Sequence, residues 1–171
     1  MELSAKNSII AYMTHPKEET TLVIMKPDAI QRSLVGEIIR RFEIKGLKLI
    51  GIKMMKMDDV LLNEHYVHHK DKPFFVGFRK FMKSAPVVVL ALSGFNAVKA
   101  VRLIAGPTYG AEADAGSIRG DLSMSRQSNV VHVSDSIETA RIELERFFKP
   151  EELVEYTRAD FEYLYGEEEK G

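Results

Sequence analysis

One stretch holds the residues best placed to do chemistry: Asn129-Val130-Val131-His132-Val133-Ser134-Asp135-Ser136. The two valines before the histidine read as the buried end of a strand, and the histidine stands where that strand stops. Ser134, Asp135 and Ser136 then offer N-caps to a following helix, and Asp135 with Glu138 has capping-box spacing. The imidazole therefore projects from a strand-to-helix corner, beside a helix N-terminus that favours anions and phosphate. A histidine so placed is either a nucleophile or a structural residue that caps or fills. Glu143 follows on the same helix, beside the buried face marked by Leu144. A carboxylate that accepts from one imidazole N–H fixes the tautomer and leaves the other nitrogen free to attack. The competing reading of Glu143 is a surface residue paired with Arg146 or Lys149.

Other candidates are scattered cations. The chain contains neither Gly-x-x-x-x-Gly-Lys-Ser/Thr nor Gly-x-Gly-x-x-Gly, so neither glycine-rich phosphate cradle applies. Lys26 ends the first strand in Lys26-Pro27-Asp28, Arg102 lies on the polar side of a helix, and Arg119 comes near the end of a long loop. A lysine acts on phosphate as a point charge and an arginine as a two-donor fork, so the three together can hold a polyphosphate. Thr108 adds a hydroxyl in the same loop, and Asn129 an amide just before the corner. His65 and His69, four residues apart, also raise a metal reading.

The elements that must position these groups follow from hydrophobic patterning. Thr20 to Lys26 is apolar on both faces, as a central strand would be, and Pro27 ends it. Leu34 to Lys45 has helical spacing, with Gly46 where a C′ glycine belongs. Strand character resumes over Leu47 to Met55. Helices are predicted over Asp58 to His69 and Phe74 to Lys83, a buried strand over Pro86 to Leu92, and a helix over Asn96 to Ala105. Gly106 to Gln127, with four glycines and a proline, reads as a long irregular loop of the kind that is usually functional. The corner strand Val130 to His132 follows. Its helix runs to about Phe148, with Ile137, Ala140, Leu144 and Phe147 inward, and Glu151 to Tyr156 adds a last turn. This order is the βαββαβ of a ferredoxin-like α+β fold: a four-stranded antiparallel sheet with helices on one face. A doubly wound parallel sheet is the alternative.

Composition sets the outer bounds. A chain of 171 residues, 45% hydrophobic and 29% charged, is most simply one soluble domain with a sizeable core. A net charge of −1 argues against a general polyanion binder, so no specific nucleic acid and no membrane surface are expected as partners. Cysteine is absent, which removes disulfides and thiolate chemistry and fits a reducing, cytoplasmic setting. The longest apolar run, Ala85 to Leu92, is far short of the ~20 residues that cross a bilayer. Residues 1–19 lack the pattern of a secretory signal and read as an extension, 20–165 as the domain, and 166–171 as an acidic, solvated tail. Of Met54, Met55 and Met57, some are expected as core filler.

The order of these blocks resembles nucleoside diphosphate kinases. Lys26-Pro27-Asp28, Val35-Gly36-Glu37-Ile38-Ile39, Glu64-His65-Tyr66, Lys72-Pro73-Phe74-Phe75, Ile118-Arg119-Gly120-Asp121, the histidine stretch and Phe148 to Tyr156 follow one another as in that family, covering residues 20–165. The resemblance implies that His132 is the phosphoacceptor, with Glu143 orienting it and Ser134 supporting that pair. It implies that Lys26, Arg102, Thr108, Arg119 and Asn129 hold phosphates and ribose hydroxyls, that Tyr66 stands near the reacting phosphate, and that Phe74 stacks on the base. The family's scheme is ping-pong transfer from a nucleoside triphosphate, typically ATP, to a nucleoside diphosphate, with Mg²⁺ carried mainly by the nucleotide phosphates. A homo-oligomer is implied, hexamer first and tetramer second.

Three departures from the family pattern stand out. Val133 occupies a place where relatives have Gly or Ala, which crowds the corner. Gly110 lies near a usual proline, and Ala115-Gly116-Ser117 replaces Pro-Gly-Thr, both bearing on loop rigidity and assembly. Two other readings of function are weighed: a ferredoxin-like nucleic-acid or regulatory module, and a histidine phosphocarrier with a protein partner. The first is opposed by the neutral charge and the lack of an aromatic-rich RNA-binding strand.

Overall fold

The computed structural model describes His15 and residues 17–171. In chain order the elements are β1 (Glu18–Met25), α1 (Pro27–Gln31), α2 (Val35–Ile44), β2 (Lys48–Met55), α3 (Asp59–His65), α4 (Phe75–Met82), β3 (Val87–Phe95) and α5 (Ala97–Ala105). Then come α6 (Ile118–Leu122), β4 (Val131–Val133), α7 (Ile137–Phe147), α8 (Phe161–Leu164) and α9 (Glu167–Lys170). The strands form one sheet in the order β2-β3-β1-β4, every neighbouring pair antiparallel. With α2 and α5 as crossovers, this is the ferredoxin-like arrangement expected from the sequence.

The helices do not lie on one face; they cover both. Side chains alternate along a strand, so Leu22 and Ile24 of β1 enter one core with Leu62, Phe75, Phe78, Met82, Leu144 and Phe147 from α3, α4 and α7. Val23 and Met25 enter the other with Ile38, Phe42, Ala97 and Val101 from α2 and α5. A strand apolar on both faces has to be covered on both faces, and β1 meets that condition.

Local rules hold where they are strongest. Gly46 takes φ +100° after α2, a conformation that penalises any Cβ. Ser136, rather than Ser134 or Asp135, caps α7 by accepting from the Thr139 amide. Ile137 is exposed, and the inward face of α7 is Ala140, Glu143, Leu144 and Phe147. The helix expected over 58–69 ends at Tyr66, which leaves helical geometry as its buried ring packs edge-on against Phe78, and Val67–His69 form a 3-10 turn. His65 and His69 therefore do not share a helical face. The loop 106–127 contains the 3-10 turn Gly110–Glu112 and α6, whose N-cap Ser117 accepts from the Gly120 amide. Met57 is buried, whereas Met54 is exposed. In the acidic ending, α9 forms, and Lys17 Nζ donates to the carbonyls of Glu169 and Gly171.

Candidate active site

The corner is built by two segments that fix each other. Val130 takes φ +59°, a costly conformation for a β-branched residue. It is held there from both sides: its amide donates to Asp28 Oδ2 (3.0 Å), and its carbonyl accepts from the Lys26 amide (2.8 Å). Its side chain is fully buried. The end of β1 is thereby tied to the start of β4, and Lys26 Nζ reaches Asn129 Oδ1 at 2.5 Å.

The long loop is drawn into the same network. Asn129 Nδ2 donates to the Thr108 carbonyl (2.7 Å). Arg119 lies along the inside of the loop and donates to three carbonyls, those of Gly106 (2.5 Å), Val131 (2.8 Å) and Asn129 (3.4 Å). α6 can approach the preceding loop only because residue 120 is glycine: a Cβ there would sit 2.0 Å from the Asp114 carbonyl oxygen. The loop is thus a wall, not a tether.

His132 lies in β4 opposite Ile24 of β1, half-buried, with its ring against α7. Its Nε2 is 2.9 Å from Glu143 Oε1, and Ser134 Oγ donates to Glu143 Oε2 at 2.6 Å. Ser134 is itself pinned to β1, accepting from the Leu22 amide. Glu143 is buried, so the surface-pairing alternative does not hold. A carboxylate accepts and does not donate, so Nε2 carries the proton and Nδ1 keeps its lone pair.

A cavity of about 900 Å³ opens beside this corner. Its wall includes Lys26, Tyr66, Phe74, Arg102, Thr108, Arg119, Asn129 and His132, so eight of the ten expected site residues meet there. The other two, Ser134 and Glu143, stand behind His132. The wall is positively charged and incompletely neutralised. Burial, then Arg119, push the Lys26 ammonium down to about 7, with Asp28 pulling the other way. Burial, then Arg102, lower Arg119 to about 10. Lys26 beside Arg119, both buried, and Arg119 beside Arg102 are cations crowded together, a receptor for an anion of several charges. Burial first, and Glu143 second, raise the Tyr66 phenol above its ordinary value, so its hydroxyl remains protonated. That hydroxyl has no hydrogen-bond partner among the described residues.

Several residues of this centre escaped the sequence reading. Asp28 locks Val130, a role signalled only by its place beside Lys26. Asp135 lines the cavity instead of capping α7, and the Thr139 hydroxyl, more than any other group, holds its carboxyl below the usual carboxylate range. Arg126, stacked 4.2 Å over Tyr109, and Gln127 complete the rim.

A model of the family described as nucleoside diphosphate kinase matches residues 19–153. The chain belongs to the nucleoside diphosphate kinase family. It is 51% identical over 151 residues to a nucleoside diphosphate kinase of Parabacteroides distasonis, covering 88% of this chain and 99% of the relative. Human nucleoside diphosphate kinase A is 48% identical over 147 residues, covering 86% and 97%. A halophilic nucleoside diphosphate kinase from Halobacterium salinarum, solved in complex with CDP, superposes with a TM-score of 0.84 at 41% identity, covering 87% and 99%. The chain is accordingly a phosphotransferase of nucleotide metabolism, moving the γ-phosphate of a nucleoside triphosphate to a nucleoside diphosphate. Among the described residues no helix is long and apolar enough to cross a membrane.

Proposed function

We propose that His132 carries the phosphoryl group between the two nucleotides. The observation that supports this most is the division of labour on its ring: Nε2 is committed to Glu143, and the ring lines the cationic cavity. Nδ1 attacks the γ-phosphorus of the bound triphosphate, the bond to the β-phosphate oxygen breaks, and the diphosphate leaves. A terminal oxygen of an incoming diphosphate then attacks the same phosphorus, and the P–N bond breaks. Transfer of this kind is largely positioning and charge neutralisation.

Lys26, Arg102 and Arg119 neutralise the phosphates, and Thr108 and Asn129 hold phosphate and ribose oxygens. The Tyr66 hydroxyl, unpartnered and protonated, donates near the reacting phosphate. Phe74, half exposed on the cavity wall, offers a face to the base, and stacking tolerates any base. Glu143 orients the imidazole and stabilises the positive charge it acquires, and Ser134 holds Glu143.

The wall also fits Mg²⁺. Asp135, an ionised carboxylate in the wall among the cations, is a hard oxygen ligand of the kind this ion takes and would hold it. The chemistry it would supply there is neutralisation of phosphate charge. The edge strand β2 exposes Ile52 and Met54, which supports self-association into a homo-oligomer; that it is a hexamer, or failing that a tetramer, rests on the family resemblance alone. The setting proposed is the cytoplasm.

The test is a two-step labelling experiment with γ-labelled ATP and Mg²⁺, removal of nucleotide, then GDP. Acid-labile label on the parent, chased into GTP and absent from folded His132→Ala, is the expected result. Label that GDP cannot discharge would mean a phosphocarrier with another acceptor, and label retained by His132→Ala would overturn the assignment.

A further inference from the structure

His65 has no part in the mechanism above, yet it packs against three of its groups. It closes α3 with its side chain wholly buried. Its ring meets His132 edge-on, centroids 4.6 Å apart, between the rings of Tyr66 (4.5 Å) and Phe147 (5.0 Å). Its two nitrogens face different neighbours. Nδ1 is 3.3 Å from Arg146 Nη1, and a guanidinium donates but never accepts. Nδ1 is therefore the accepting nitrogen, and the ring proton sits on Nε2. Arg146 is itself held by Glu64 at 3.0 Å.

The Nε2–H that results lies 3.8 Å from Glu143 Oε1, the oxygen that takes the His132 proton, and has no hydrogen-bond partner among the described residues. A buried, unsatisfied donor beside a carboxylate is costly to leave unmade. Catalytic hydrogen bonds often tighten only in the reacting complex. The groups facing His65 are His132 from β4, Glu143 and Arg146 from α7, and Tyr66 and His68 from the turn after α3. Burial first, then His132, Arg146 and His68, push its pKa down to about 2, which favours the neutral ring.

His65, His132 and Glu143 also have ligand atoms within 4.8 Å of one another, a spacing that invites a metal. The tautomers oppose it. Both Nε2 atoms carry protons, and freeing their lone pairs would break the bonds to Arg146 and Glu143.

We propose that His65 is a positioning residue for phosphoryl transfer: fixed by Arg146 as the neutral Nε2–H tautomer, it gives Glu143 Oε1 a second donor and so holds the carboxylate on His132. A neutral donor steadies Glu143 without drawing its charge away from the phosphorylated imidazole. A protonated one would compete for that charge and repel the His132 ring. The proposal rests on His132 being the phosphoacceptor.

Two measurements test it. The first is ¹⁵N NMR of the histidine rings in the whole parent protein and in Arg146→Met. The parent should show His65 as Nε2–H with an unprotonated Nδ1 that accepts a hydrogen bond, and Arg146→Met should move the Nδ1 resonance to that of an unprotonated nitrogen with no donor. The second is the rate constant for phosphoenzyme formation, with its pH profile, in His65→Phe and His65→Gln. Phe keeps the aromatic contacts and loses the donor, so the rate constant should fall about ten- to hundredfold with nucleotide KM little changed. Gln keeps a neutral N–H and should recover most of that loss. A folded His65→Phe with the parental rate and pH profile, or Nδ1–H in the parent spectrum, would overturn the proposal alone. Phosphate found on a residue other than His132 would overturn it together with the reading it rests on. Should the substitutions at 65 prevent folding, the ring spectra of the parent and Arg146→Met decide.

Discussion

Replacing Lys26 by Met should make the nucleotide-free protein more stable while removing most of its activity. The lysine titrates near 10.5 in the unfolded chain and near 7 in the fold, chiefly because it is buried and secondly because Arg119 is close. Between those values the unfolded chain binds more protons than the folded one, so the parent gains stability as pH rises from 7 to 10.5. At about 1.4 kcal/mol for each tenfold change in proton affinity, the fold bears about 4 kcal/mol at pH 7.5 and about 1.5 kcal/mol at pH 9.5. Methionine removes that burden but leaves Asn129 Oδ1 without its 2.5 Å partner, which costs about 1–3 kcal/mol. The net gain at pH 7.5 is then about 1–3 kcal/mol, or roughly 3–10 °C in Tm for a chain of this size. At pH 9.5 it should vanish. The assay is thermal unfolding without nucleotide, both proteins at one concentration and at both pH values, with transfer activity measured in parallel. A variant that melts below the parent at pH 7.5, or a gain identical at the two pH values, would show that burying Lys26 does not burden the fold.

Glu143 separates orientation from charge. Glu143→Gln keeps an acceptor for His132 Nε2–H but no charge, so phosphoenzyme formation should slow about ten- to hundredfold, with Glu143→Ala slower still yet above His132→Ala; a Gln variant at the parental rate would show that charge on Glu143 is not used. Arg119→Lys preserves the cation but cannot reach all three loop carbonyls. It should cost about 2–5 kcal/mol, read from denaturant midpoints, and expose residues 106–127 to proteolysis; an unchanged midpoint and unchanged cleavage would contradict the role of Arg119 as the loop's clamp.

Elements and residue types were legible in the sequence wherever a local rule was strong. The apolar run of β1, Gly46 after α2, and the strand-to-helix corner at His132 all stand where patterning put them. The ten residues carried over from the family motifs fall in or behind one cavity. What patterning could not show was relational. That helices cover both faces was already implied by the two-sided apolar run of β1; which helices cover which face was not. Tyr66 breaks the helix predicted over 58–69 because its ring is used in the core, a tertiary demand that overrides helical spacing. α6 is too short to leave a periodic signal, and its one strong mark, Ser117 as a cap, reads from sequence as loop. Asp28 and His65 act through partners about a hundred and about eighty residues away, Val130 and Arg146, and nothing in their immediate surroundings announces that.

The most direct test of the account is to find which atom carries the phosphoryl group. The phosphoenzyme, formed from ATP and Mg²⁺ and digested under alkaline conditions, would be examined by mass spectrometry for the residue and by ³¹P–¹⁵N correlation for the nitrogen. Because Glu143 holds Nε2 of His132 at 2.9 Å, the phosphorus should be bonded to Nδ1 of His132. Phosphate on Nε2, or on any other residue, would contradict it.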